Sequence, residues 1–170
     1  MHDHTAGDQA MSRNICIRHN DYTLLDTHSL QCAMTDLLSR VAPVHQYNVL
    51  DVAPEAYRDL CSAMSSSPTM PILGLFSDNT VWGEASSNHL ARMWHDATHL
   101  LLNKDFSVDE ENIVAIEQAR VASHWSAMLA DVVYADLRGQ TLHMIKYGCF
   151  PDHQVNFVVN YLKTGAIKRS

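Results

Sequence analysis

From Glu110 to Ala135 the chain contains neither proline nor glycine, and the run is entered through Ser107-Val108-Asp109-Glu110. That tetrad has the form of a capping box, in which the Ser107 hydroxyl caps the backbone and Glu110 reaches back to it. The spacing therefore predicts one long helix. Along it Glu110, Glu117, His124 and Asp131 recur every seven residues and interleave with Val114, Val121, Met128 and Ala135. One stripe would thus carry ionisable and apolar side chains together. Buried carboxylates and imidazoles need partners or a metal ion, because an isolated charge in an apolar interior is too costly to keep.

The preceding segment offers such a partner. Met93-Trp94-His95-Asp96-Ala97-Thr98-His99 lies on a predicted helix capped by Ser86 or Ser87. On that helix His95 and His99 stand one turn apart, about 6 Å between Cβ atoms, and face the same way. Two imidazoles can grip one divalent ion, but a stable centre needs a third ligand and usually a fourth, with groups that orient the rings. Apposing the two helices lets His95 and His99 bind one ion, Zn, Mn, Fe or Mg, together with Glu117 or His124, while Asp96 orients a ligand or acts as a base. Asp96, Glu110 and Glu117 are the candidate proton acceptors. The bland alternative is a histidine hydrogen-bonded to Glu117 or Asp131 as ordinary buried polarity, since eleven histidines make a pair at this spacing common. Trp94, Trp125, Met93 and Met128 are expected in the core.

A chain of 170 residues, 46% hydrophobic and 18% charged, fits one globular domain. No apolar run approaches the roughly 20 residues of a membrane span. A formal charge of −7 works against binding a nucleic-acid duplex, so a small molecule or a protein is the expected partner; a homo-oligomer is also compatible. Cys16, Cys32, Cys61 and Cys149 are widely spaced, with no CxxC pair and no apolar signal core at the N-terminus. This pattern predicts reduced thiols and a cytoplasmic protein.

Residues 1–14 read as a flexible tail and 15–170 as a single helical domain. Asp26-Thr27 caps a helix through Leu30, Ala33, Met34, Leu37, Leu38 and Val41 that stops before Pro43. Val44 to Val52 is ambiguous between strand and loop, and a second helix is expected from Pro54 through Met64. Ser65 to Gly83 reads as an irregular connection, either a lid or a cover over the core. Beyond the long helix, Gly139 allows a break, Gln140 to Tyr147 forms a short helix ended by Gly148, and a last helix runs from Pro151-Asp152 to Gly165. The expected architecture is all-α, or mostly α: an orthogonal bundle of about five to seven helices.

The His95-Asp96 doublet with Asp131 downstream resembles the HD-domain metal-dependent phosphohydrolases. That resemblance implies a helical bundle in which an earlier histidine, here His45 or His89, the doublet and the later aspartate bind a divalent ion. It implies hydrolysis of a small phosphorylated or nucleotide-like substrate, with Arg92, Lys104 and Arg120 as the cations in reach of a phosphate. The segments Gly139-Gln140 and Gly148-Cys149-Phe150-Pro151-Asp152 are similar to parts of small uncharacterised phage-type proteins with a His-Asp-x-x-His helix. His95 and His99 also have the spacing of a zincin protease, but Asp96 stands where that motif has glutamate, which disfavours proteolysis. The rival class is a non-enzymatic modulator, phage-encoded, that binds a host protein through an apolar patch at Leu73 to Phe76. Any metal in it would be structural.

Overall fold

The computed structural model describes residues 26–42, 46–75, 77–78 and 80–167. The N-terminal tail, the lead-in to residue 25, His45, Phe76, Cys16 and Lys168-Arg169 lie outside the described residues. Six helices and two short strands follow the order α1 (Thr27–Val41), β1 (Gln46–Leu50), α2 (Tyr57–Ser66), β2 (Thr69–Leu73), α3 (Ala85–Leu102), α4 (Val108–Ala122), α5 (Ala127–Tyr147) and α6 (Gln154–Thr164). The mostly α expectation holds.

Helix α1 begins where its cap predicts, with the Asp26 carboxylate accepting from the Ser29 amide at 3.0 Å. Its stripe Leu30, Met34, Leu37 and Leu38 is buried. The ambiguous segment after it becomes β1, paired in parallel with β2 from Gln46↔Thr69 to Leu50↔Leu73. Helix α2 is the crossover between them. It starts at Tyr57 rather than Pro54, since Ala56 is still extended (φ −120°, ψ 143°). Inward-facing Met70 and Ile72 pack with Leu60 of α2 and Met93 of α3 in a small core beneath the strands. A strand therefore occupies part of the connection read from sequence as irregular.

The single long helix does not form. The chain leaves the helix after Ala122 and re-enters it at Ala127, with Ser126 fully extended (φ −163°, ψ 138°) and its hydroxyl accepting from the Met128 amide. Ser123 Oγ donates to the Arg120 carbonyl and His124 Nδ1–H to the Val121 carbonyl. Such local bonds from short polar side chains compete with helix continuation without any proline or glycine. Helices α4 and α5 fold back on each other instead, and Ala119 and Ala122 join Ala130, Val132 and Val133 in the main core. His124 and Trp125 sit exposed in the turn, so Trp125 is not a core residue. The capping box is also incomplete. Ser107 takes the cap position without a side-chain bond; its amide is held by Asp105 Oδ1 at 2.9 Å, and Glu110 pairs with Lys104 at 2.9 Å instead of reaching back to that amide.

Helix α5 continues through Gly139 to Tyr147. A Cβ at Gly139 would come within 2.9 Å of the Phe157 ring, so the missing side chain serves the close approach of α6 rather than a break. Gly148 (φ 74°) then ends α5 in the left-handed region. Helix α6 ends at Gly165 as expected. Among the described residues, no helix is long and apolar enough to cross a membrane.

Candidate metal centre

The site is built where the last turns of α3 meet the first turn of α4. Asn103 adopts the left-handed conformation (φ 52°) and its amide is received by the carbonyls of His99 and Leu100, which stops α3 sharply. A short turn then lays the start of α4 back across the face of α3 that carries His95 and His99. Glu111 arrives opposite both rings. Its carboxylate lies 3.2 Å from His95 Nε2 and 3.5 Å from His99 Nε2, and the two Nε2 atoms are 3.1 Å apart.

Each ring is fixed from behind. His99, fully buried, places Nδ1 at 3.1 Å from the Lys104 carbonyl, and His95 places Nδ1 at 3.0 Å from Gln118 Oε1. Both acceptors are oxygens, so each Nδ1 carries a hydrogen, and each Nε2 faces Glu111, donating to it when protonated and presenting a lone pair when not. Phe106 closes the outer side, its ring edge-on to His99 at 4.9 Å. This is the arrangement in which metal-ligating imidazoles are held, one nitrogen on an oxygen acceptor and the other free to coordinate.

His95, His99 and Glu111 form a group that could hold a metal ion. A tetrahedral zinc site with ligand bonds of 2.0–2.1 Å has ligand–ligand edges of about 3.3 Å. The two Nε2 atoms stand 3.1 Å apart, and each has its own Glu111 oxygen at a similar distance, Oε2 at 3.2 Å from His95 and Oε1 at 3.5 Å from His99. The residues present therefore fit the ion.

The charges agree with this geometry. Burial disfavours charge on His95, but the hydrogen bond and attraction of Glu111, with Asp96 behind, outweigh it and carry its pKa up to about 9. Burial likewise works against a charged Glu111, yet bonds from the two histidines bring it down to about 2. Burial pushes Asp96 up to about 6, against the pull of His95 and His99 and with repulsion from Glu111 adding to it.

Of the residues singled out from sequence, His95 and His99 meet and Asp96 stands beside them on the cavity wall. Glu117 pairs with Arg120 at 2.6 Å, Glu110 with Lys104, and His124 with its own turn. Asp131 is half-buried near the start of α5, and His89 lies edge-on to Tyr47 at 6.2 Å between ring centroids. None of these five belongs to the three-residue group. Glu111 was missed because the seven-residue stripe pointed to its neighbour Glu110. The available signal was position: the first turn after a tight connection is the part of a helix that returns to the end of its predecessor.

His95, Asp96 and Glu111 open on a cavity of about 740 Å³ whose wall also includes Asn88, Arg92 and Asp136. Asp136 is buried and accepts from Trp82 Nε1 at 2.8 Å and Gln140 Nε2 at 2.6 Å. Arg92 donates to the carbonyls of Leu73 and Leu75 at 2.7 and 3.0 Å. Comparison of the chain with protein-family models, curated proteins and solved structures gave no match.

Proposed function

We propose that this protein is a divalent-metal-dependent hydrolase whose ion is held by His95, His99 and Glu111. The observation that carries the reading is the meeting of two imidazoles and a carboxylate whose donor atoms lie within 4.8 Å of one another, the rings braced from behind by Gln118 and the Lys104 carbonyl. A paired-imidazole donor set suits zinc, iron or manganese better than magnesium, which prefers oxygen ligands. With three protein ligands among the described residues, such an ion would supply a Lewis acid and lower the pKa of a water molecule at an open position.

The chain's own groups do the rest. Gln118 and Lys104 keep the ring hydrogens on Nδ1. Asp96, next to His95 and on the cavity wall, is the carboxylate placed to take the proton from attacking water and return it to the leaving group. The phosphohydrolase form of the reading, taken from the HD resemblance, asks for a cation to receive phosphate. Lys104 and Arg120 are paired with Glu110 and Glu117, and Arg92 holds backbone carbonyls. The support is therefore stronger for metal-assisted hydrolysis in general than for a phosphoryl bond. Leu75, half-exposed and part of the surface assigned above to a protein partner, lines the same cavity, so we assign it to substrate.

Elemental analysis of the purified full chain tests the proposal. About one zinc per chain, lost in His99→Ala and in Glu111→Ala, with chelator-sensitive hydrolysis of chromogenic esters or amides, is the expected result. A chain that takes up no divalent ion sinks it, and stoichiometric iron redirects it towards oxygen chemistry.

A further inference from the structure

We infer that the cavity beside His95 selects molecules in which a protonated amine is joined to an apolar body, the ammonium resting against Asp51 and Glu55 on the open side. Binding follows from the cavity alone; that the bound molecule is then hydrolysed rests on the metal-centre reading.

The apolar body is asked for by the wall. A volume of about 740 Å³ is that of a small-molecule site. Val52, Leu75, Val108, Ile145 and Phe150, half of the exposed large apolar side chains among the described residues, all lie along this one cavity. Exposed apolar groups scattered singly over a surface need no explanation, but their convergence on one concave opening marks a place where a ligand covers them.

The charge of the ligand is set by the same wall. Asp51, Glu55, Asp96, Glu111 and Asp136 line the cavity, and Arg92 is the sole lysine or arginine among the described lining residues. Counting a proton on His95 or a divalent ion in its place, the carboxylates still outnumber the positive charges. A concave surface of one sign concentrates its field on whatever enters, so a cation is drawn in and an anion repelled. Three of the acids are already engaged. Glu111 faces the imidazoles, Asp136 accepts from Trp82 and Gln140, and Asp96 is assigned above to proton transfer. Asp51 and Glu55 are exposed and have no partner among the described residues, so they are the carboxylates left to meet a ligand's charge. His95 and Glu111 are only part-exposed, which sets the ammonium on the solvent side of the cavity and leaves the apolar body to reach inward.

Calorimetric titration of the full chain after chelator treatment, at about pH 8, with 4-phenylbutylamine, 4-phenylbutanol and 4-phenylbutyrate tests this, since the three share one apolar body and differ in charge. The amine should bind about five-fold tighter than the alcohol, the carboxylate weaker than both, and roughly 0.5 M salt should remove most of the difference. Asp51→Asn with Glu55→Gln should bring the amine to the level of the alcohol, whereas Asp78→Asn with Asp109→Asn, the same change of charge off the cavity wall, should keep the preference. The alcohol or the carboxylate binding as tightly as the amine overturns the inference, as does no binding by any of the three. A preference that survives Asp51→Asn with Glu55→Gln, or that both double variants lose equally, overturns it too. Zinc uptake by the same protein before chelation keeps the two readings apart: a chain that takes up no zinc yet prefers the amine refutes the metal centre alone, and one that takes up zinc without preferring the amine refutes the substrate class alone.

Discussion

The Nε2 atoms of His95 and His99 face each other at 3.1 Å, each ring having given its Nδ1 hydrogen to an oxygen. Two nitrogen lone pairs repel at that distance unless something positive lies between them. In the metal-free protein a proton on His95, held up by Glu111, plays that part. An ion at the proposed centre would bring its own positive charge, replace that proton and draw on all three residues.

Removing one donor should therefore abolish high-affinity binding rather than weaken it slightly. His99→Ala or Glu111→Ala should raise the zinc dissociation constant by about two orders of magnitude, whereas Glu117→Ala and His124→Ala should leave it unchanged. For the wild-type chain, free zinc at about 100 times that constant adds about 2.7 kcal/mol of stability. A melting temperature indifferent to zinc and to chelator would contradict the site.

Gln118 touches no ion, so its substitution separates orientation from ligation. It holds His95 Nδ1 at 3.0 Å from its own buried position on α4. Gln118→Leu keeps the volume and removes the acceptor, and should cost about 10–100-fold in metal affinity while the fold, followed by circular dichroism, stays intact. Equal affinities in the two proteins would show that the ring needs no such brace.

Asp136 makes stability depend on pH. Burial raises its pKa to about 6 from the ordinary 3.8, although Trp82 and Gln140 donate to it and lower the value in part. The folded state therefore keeps a proton that the unfolded chain releases between these values, and stability falls as pH rises through that window. A difference of this size corresponds to about 3 kcal/mol. Asp136→Asn removes the titration, so in urea denaturation the variant should gain on the wild type by up to about that amount between pH ~4 and ~7. Parallel pH profiles would refute the assignment.

Gly139→Ala brings two effects into conflict. Alanine improves helix propensity by about 1 kcal/mol, but its Cβ meets Phe157 at 2.9 Å and Tyr161 at 3.3 Å, and both rings are held in the core. Overpacking of this kind costs about 1–3 kcal/mol, so the net change should be destabilising by about 1 kcal/mol. Adding Phe157→Leu should lessen the cost of the alanine. A stabilised Gly139→Ala would mean that α6 yields easily.

Local signals were read correctly wherever one residue type decides the backbone. Asp26 capping α1, Gly148 and Gly165 ending α5 and α6, and the His95/His99 spacing on α3 are of this kind. The strand pair was ambiguous because Val44 to Val52 has no clean alternation, and its pairing with Thr69–Leu73 depends on a partner distant in sequence. The turn at Ser123–Ser126 was invisible because it uses serine and histidine side-chain bonds where a proline or glycine was sought. That turn displaces the third member of the candidate group: with α4 and α5 joined as one rod, Glu117, His124 and Asp131 would share a line that the folded chain breaks.

The tight reversal at Asn103 keeps every donor of the centre within one contiguous stretch, from His95 to Glu111. The entropy lost in closing a segment grows with its length, and this one is short. The grip on an ion can therefore form before distant parts of the chain find their places, and the ion would then fasten a hairpin of two helices on which the later helices assemble.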